Sequence, residues 1–341
     1  MIRGQAASTS PFFTQVSFTA PHHGQPREAG RDPDPVPRDD GEVTDLVSPA
    51  SPQTTRDTFD DVRAAPGAGW SDPDLTDMPQ ELRDVPRPNT AELRAMAEVH
   101  RQRLEALAAT DLAIDQIMRQ LESTGELGRT YVMFTSDNGY FLGEHGIRAG
   151  KVLPYDAALK VPLLIRGPGI PAGQVRHDPF LTTDLAPTVM QMAGLPIPPS
   201  VDGAGMLPVA EEGDEGWTRP VLVNTGPGST VRNTDESGAP LDPEDPGAPD
   251  PRFLLGVRTA RYLYLDRADG FEELYDLDAD PEAYENLVEN NDRGATDGPN
   301  VAADPAYADA LAVMRSQLFR VRACAGATCR VSLPDEYVVG P

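Results

Sequence analysis

Basic residues are scarce in this chain. Lys and Arg number 29 against 54 Asp and Glu, a formal net charge of −25 over 341 residues. That balance makes nucleic acid and anionic membrane surfaces poor partners for the chain as a whole. If it handles an anion, it must gather its few cations, or a metal ion, at one place. Long apolar runs are missing too: no stretch reaches the ~18 apolar residues needed to cross a bilayer. The opening "MIRGQAASTSPFF" has a basic residue but no apolar core, so it does not read as a signal peptide. Cysteine is confined to Cys324 and Cys329, in "CAGATC", and no second pair completes a zinc-ribbon pattern. The two read as a short-loop disulfide, which would suit an exported protein; two free thiols near the end of a cytosolic chain are the alternative. Apolar content is low, 39%, while 35 Pro and 30 Gly point to much loop. No internal repeat is visible.

What is present reads as α/β. Phe12 to Thr19, in "PFFTQVSFTAP", reads as a short buried strand ended by Pro21. Residues 24–85 are rich in Pro, Asp and Arg without a sustained period, and read as a long surface loop, functional or disordered. A long helix follows. Asn89 and Glu92 have capping-box spacing, and Leu93, Ala97, His100, Leu104, Leu107, Ile114, Ile117 and Leu121 make an apolar stripe that Gly125 stops. Tyr131–Ser136 is apolar nearly throughout, as in a parallel strand covered on both faces, and Val161–Arg166 reads as another strand. Asp184 is placed to cap a short helix that runs through Ala193 and closes at Gly194. Beyond Pro199 the character changes. Val221–Asn224 reads as a strand, and 225–250 as an acidic, disordered insertion. Phe253–Arg258, Tyr262–Asp266 and Glu272–Tyr275 alternate like an antiparallel meander, with Asp269-Gly270 as a turn. A last helix spans Pro305 to Val321, with Leu311, Met314, Leu318 and Val321 on one face.

The chemistry gathers around "TYVMFTSDNGYFLGEHG", Thr130 to Gly146. Asp137 and Asn138 end a buried-type strand, where open α/β sheets collect their ligands. A carboxylate beside an amide carbonyl offers two hard oxygens, which suit Ca²⁺ or Mg²⁺. Lys151, in "RAGK", is a flexible monocation for an anionic oxygen. His22, after the first strand, can donate a proton or a hydrogen bond. Each has a plainer reading: an Asn-Gly turn with φ > 0, a solvated surface charge, a loop histidine.

Several ordered motifs resemble the sulfatases of the alkaline phosphatase superfamily. They are "FTAPHHG", "TSDNGYFLGEHG", a "GK" thirteen residues after the Asn, "KVPLLIRGPGI", "TTDLAPTVMQMAGL" and "ELYDLDADPEAYENL". The likeness is greatest to the branch with N-acetylglucosamine-6-sulfatases and related arylsulfatases, including the "CAGATCR" tail. The resemblance implies an alkaline-phosphatase-like sandwich of a mostly parallel sheet with helices, its first strands missing here. Residues 1–210 would be the C-terminal portion of the catalytic α/β domain, and 211–341 a small C-terminal antiparallel sheet with a helix. It implies hydrolysis of a sulfate monoester on a sugar or aryl alcohol, with Asp137 and Asn138 as ligands of Ca²⁺, or Mg²⁺. Lys151 and His22 would hold or protonate ester oxygens, with His23 as the fallback for His22 and His145 as a further substrate contact.

One departure matters more than the matches. The family's nucleophile is a formylglycine made from a Cys or Ser opening a Cys/Ser-x-Pro/Ala-x-Arg motif, and an Asp-Asp pair completes its calcium site. Neither is encoded here: Cys324, Cys329 and Ser316 ("SQLFR") all fail the pattern. The resemblance therefore implies a truncated or split sulfatase frame with negligible turnover alone; completion by a separately encoded N-terminal piece is a subsidiary possibility. A phosphodiesterase or phosphonate hydrolase of the same superfamily, and an inactive anion-binding pseudo-enzyme, are the alternatives. Export is typical of the family.

Overall fold

Asn89 opens the longest element, and it does so by a reciprocal cap. In the computed structural model its side-chain oxygen accepts from the N–H groups of Ala91 and Glu92, while Glu92 accepts from Asn89 N–H at 2.8 Å. The structure describes residues 10–23, 31, 33–63, 78–83, 86–151, 153–225, 254–267, 270–281, 283, 288–289, 301–302 and 305–340. Helix α1 runs Thr90–Ser123, and Gly125, at φ 72°, ends it with the N–H of Glu126 on Leu121 O.

The face that α1 buries differs from the apolar stripe. Ala95, Met96, Val99, Gln102 and Ala106 are buried together with two carboxylates, Glu92 and Glu105, whereas Leu107 and Leu112 are exposed. Partners from distant segments explain the shift. Glu92 takes the Thr44 hydroxyl and the Arg148 guanidinium, and Glu105 takes Arg31, the Ser51 hydroxyl and the Asp57 N–H. A carboxylate so supplied can be buried, which hydropathy alone does not reveal.

The segment between 31 and 83 is irregular but, where described, not confined to the surface. Val36–Pro37 pairs antiparallel with Val43–Thr44, and Leu46, Met78 and Leu82 are core residues. Phe12–Thr19, by contrast, forms no strand. It joins no ladder among the described residues, and Phe13 is 74% exposed.

Strand β1 (Val132–Thr135) pairs with β2 (Leu163–Arg166), and the pairing is antiparallel, Val132 facing Arg166 and Thr135 facing Leu163. The buried parallel strand read from Tyr131–Ser136 is thus corrected: no parallel pair occurs among the described residues, and Leu164 is 65% exposed. Helix α2 (Leu185–Met192) ends at Gly194, φ 68°. Asp184 sits at its N-cap position, but the carboxylate serves elsewhere, accepting from the N–H groups of Leu181 and Ala204 and pairing with Arg219.

The meander forms as its alternation predicts. Strands β3 (Val221–Asn224), β4 (Leu254–Arg258), β5 (Tyr262–Arg267) and β6 (Glu272–Asp276) lie side by side in that order, all antiparallel. The period of two sorts their side chains. Tyr262, Tyr264 and Leu274 pack against Leu311, Met314, Leu318 and Val321 of helix α3 (Ala308–Val321). Leu263, Leu265 and Tyr275 pack against Met78, Phe141, Tyr155 and Ala158. The segment bearing the Asp-Asn-Gly loop therefore rests directly on the sheet. The acidic insertion, 226–250, and the turn residues 268–269 lie outside the described residues. Cys324 and Cys329 are joined by a disulfide, whose turn is held to the 201–203 loop by Asp202 and Arg330.

Candidate active site

Asp137 lies just past the end of β1, exposed, and the chain after it is pinned by backbone bonds. Gly139 N–H donates to Ala158 O and Tyr140 N–H to Ala157 O, both at 2.8 Å, and Phe141 N–H to Gly150 O at 2.9 Å. Gly139 is required by this approach, not by a turn. A Cβ there would lie 2.0 Å from Ala157 O, and neither Asn138 nor Gly139 has a positive φ. The plain Asn-Gly turn is thus excluded. The isolated antiparallel Phe141–Gly150 bridge brings the start of the Lys151 segment, at Gly150, to the loop's far end. No ion pair holds Lys151 or Asp137 among the described residues, so both charges are left for other groups.

His22 follows a turn in which its N–H donates to Thr19 O at 2.9 Å. Its ring lies on that of His23, centroids 4.3 Å apart, with Nδ1 2.8 Å from His23 O. A carbonyl can only accept, so Nδ1 carries the proton and Nε2 is the ring atom left for other partners.

These segments meet through a residue the motifs do not mark. Arg103, in the middle of α1, donates from Nη1 to Pro21 O at 3.0 Å, next to His22. Its guanidinium also lies 3.8 Å from the centroid of the Tyr140 ring, two residues past Asn138. The Arg103–Tyr140 contact joins the His22 turn to the loop that follows Asp137 and Asn138. No local signal separates Arg103 from Arg94, Arg101 and Arg119 on the same helix. His100 is half-buried here and titrates below its usual value, through burial first and then the charges of Arg103 and Arg101, against Glu144.

His145 is placed differently. It is 4% exposed, at φ 55°, with its ring stacked on Tyr155 at 4.1 Å and edge-on to Phe141. That position packs it beneath the loop, with little surface left for the substrate contact expected of it. The small cleft it helps to line, with Glu144, Tyr155, Asp156, Leu263 and Leu277, does not include Asp137, Asn138 or Lys151. Burial, helped by the Arg87 charge, pushes the His145 pKa down to about 3 from 6.5. The native ring stays neutral where the unfolded chain takes up a proton. This stability is complete above pH 6.5 and falls as pH drops toward 3, by at most about 1.4 kcal/mol per pH unit. His145→Asn, which tolerates the left-handed backbone, is expected to flatten the loss of urea stability between about pH 6.5 and 5.5. An unchanged slope would mean that the ring is hydrated in the native state.

Asp137 and Asn138 suit a hard cation in kind but not in number. Asn138 donates its amide N–H to Gly139 O at 2.7 Å, which leaves its Oδ1 as an acceptor. Two oxygens with one formal charge are well short of the six to eight that Ca²⁺ takes. A second acidic group, Asp57, Asp60 and Glu105, has carboxylate oxygens within 4.8 Å of one another and could hold a metal. Its Glu105 already serves Arg31, Ser51 and the Asp57 N–H.

Comparison with known proteins gives these residues a context. The sulfatase family model matches residues 1–195. The N-acetylglucosamine-6-sulfatase of Homo sapiens is 30% identical over 267 residues, covering 73% of this chain and 45% of that protein. A solved structure in complex with its substrate, D-glucosamine-2-N,6-O-disulfate, superposes with a TM-score of 0.53 at 25% identity, covering 68% of this chain and 42% of that one. The phosphonate monoester hydrolase of Silicibacter pomeroyi gives 0.55 at 25% identity, over 77% and 48%. The chain spans less than half the length of the curated relatives it matches. Its fold is that of the alkaline-phosphatase-like sulfatases. With a match over more than half of its residues, the chain belongs to the sulfatase family.

Proposed function

We propose that this chain binds and orients a sulfate monoester for hydrolysis, R–OSO₃⁻ with water giving R–OH, sulfate and a proton. The supporting observation is that Arg103 joins the His22 turn to the loop after Asp137–Asn138, with Gly150, next to Lys151, bridged to Phe141 of that loop. On this reading the Lys151 amine pairs with a sulfate oxygen, where a monocation on a long stem follows the anion. His22, with its proton fixed on Nδ1, presents Nε2 to the leaving-group oxygen and donates from it when the ring is cationic. His23 is the substitute should His22 serve as its support. Asp137 and Asn138 would be two of the ligands of Ca²⁺, with Mg²⁺ the alternative. Because their donor set is incomplete, we route no step through the ion. A sulfated sugar is the substrate class we favour, since one matched relative is named N-acetylglucosamine-6-sulfatase and one matched structure holds D-glucosamine-2-N,6-O-disulfate.

The formylglycine motif is not encoded in the 341 residues, so the nucleophile must come from another segment of polypeptide. A sulfatase segment bearing that motif fills the role, and a separately encoded piece is one source for it. Calorimetry tests the binding half directly. The chain is expected to bind glucosamine 6-sulfate in the presence of Ca²⁺, with Lys151→Ala about tenfold weaker, or worse. Asp137→Ala should abolish the Ca²⁺ dependence. Equal affinities for all three proteins would end the assignment. The likeness to a phosphonate monoester hydrolase supports a second reading on the same fold, and preference for a phenylphosphonate ester over the sulfate would establish it. Binding without turnover under every pairing would leave an anion-binding pseudo-enzyme.

A further inference from the structure

We propose that Arg103 is a positioning residue, which sets the separation between the His22–His23 turn and the Asp137–Tyr140 loop. The inference rests on the reading that these two segments share one site. The physical case starts from rigidity. Helix α1 is 34 residues long, is capped at both ends and contributes Arg103 from its middle, whereas the segment before His22 forms no strand and is largely exposed. A turn with so little ladder of its own takes its place from what holds it. Arg103 holds it at Pro21 O, and with the same planar group covers the Tyr140 ring.

A guanidinium does both at once because its N–H groups point out along the plane while its face stacks on an aromatic ring. An ammonium has no such face, so lysine supplies either contact more readily than both together. The loop end of the brace is firm as well. Tyr140 N–H is fixed to Ala157 O, and Phe141 beside it is fully buried against the C-terminal sheet. Arg103 therefore joins a rigid loop to a loosely anchored turn. A shift of the guanidinium moves the histidines while the carboxylate stays in place.

The test uses the full chain with ¹³C/¹⁵N-labelled histidine, resonances being assigned by single His22→Gln and His23→Gln substitutions. Arg103→Met is expected to move both ring signals to random-coil positions while the core signal of His145 and the melting temperature stay put. Arg103→Lys should restore the signals in part. Tyr140→Leu, which removes the other end of the brace without touching the helix, should reproduce the displacement. His22 and His23 signals unmoved in both Arg103→Met and Tyr140→Leu would overturn the proposal. If Arg103→Met also loses the His145 signal, it has unfolded and Tyr140→Leu decides alone. A native chain that binds neither Ca²⁺ nor glucosamine 6-sulfate would sink the functional reading, and the ring signals would still judge the brace.

Discussion

Glu273→Ala is expected to destabilise the chain by about 3–5 kcal/mol, among the largest effects of any single substitution here. Glu273 and Arg267 are both fully buried, with Arg267 Nη1 3.1 Å from Oε1. The other carboxylate oxygen accepts two phenols, Tyr155 at 2.7 Å and Tyr275 at 2.6 Å. Deleting the carboxylate takes an ion-pair partner from a buried guanidinium and the shared carboxylate acceptor from two buried hydroxyls. The phenol of Tyr275 already titrates well above its usual range, from burial first and then from the neighbouring Glu273 charge, so it stays neutral and cannot replace the lost anion. Tyr155→Phe and Tyr275→Phe remove one hydrogen bond each and should cost about 1–1.5 kcal/mol apiece. The double substitution Arg267→Met with Glu273→Leu separates two causes. A buried pair exchanged for apolar groups of similar volume is often near neutral, so the double variant should recover much of the loss. Urea unfolding at neutral pH measures all four. A Glu273→Ala cost below about 1 kcal/mol would mean that the network is hydrated.

That network explains why the site was only partly legible in the sequence. Local signals carried well: the Asn89–Glu92 cap, the meander, and the α3 face of Leu311, Met314, Leu318 and Val321 follow from periods and caps within a few residues. What failed depended on distant partners. Glu92 and Glu105 are buried because Thr44, Arg148, Arg31 and Ser51 reach them, and no helical period encodes that. His145 stands in a polar-looking loop, yet Tyr155 and the sheet behind it close over the ring. Gly139 read as a turn residue and is instead a point of close backbone approach. Phe12–Thr19 had the composition of a strand but joins no ladder among the described residues. The motif residues themselves were visible, because chemistry at a strand end is written in residue type. Arg103, which joins the His22 turn to the loop after Asn138, was not.

Turnover is expected to appear only when a segment carrying the nucleophile is joined to, or paired with, these 341 residues. Alone, the 341-residue chain should hydrolyse 4-nitrocatechol sulfate no faster than its Lys151→Ala variant. Removing a covalent nucleophile from an enzyme that depends on one typically costs about 10⁶ in kcat, and positioning groups cannot replace the attacking atom. Co-expression with the N-terminal segment of a sulfatase relative, carrying Cys-x-Pro-x-Arg matured to formylglycine, should therefore raise the rate by several orders of magnitude. A surface suited to such a segment is at hand. Strand β1 is bonded only to β2 among the described residues, and Phe13, Val16, Leu107, Leu112 and Leu164 are exposed apolar groups. A strand edge with no further neighbour among the described residues invites further strands, and exposed apolar side chains invite burial. The pairing should also protect those side chains, so the two pieces should co-purify and the chain should bind less of a hydrophobic dye. Lys151→Ala in the paired protein should cut the rate at least about a hundredfold without breaking the pair, since it removes charge at the ester and not at the docking face. Robust hydrolysis by the chain alone, above the Lys151→Ala control, would refute the need for a partner; a stable pair with correctly matured formylglycine and no turnover on sulfate or phosphonate esters would instead refute the proposed roles of His22, Asp137, Asn138 and Lys151.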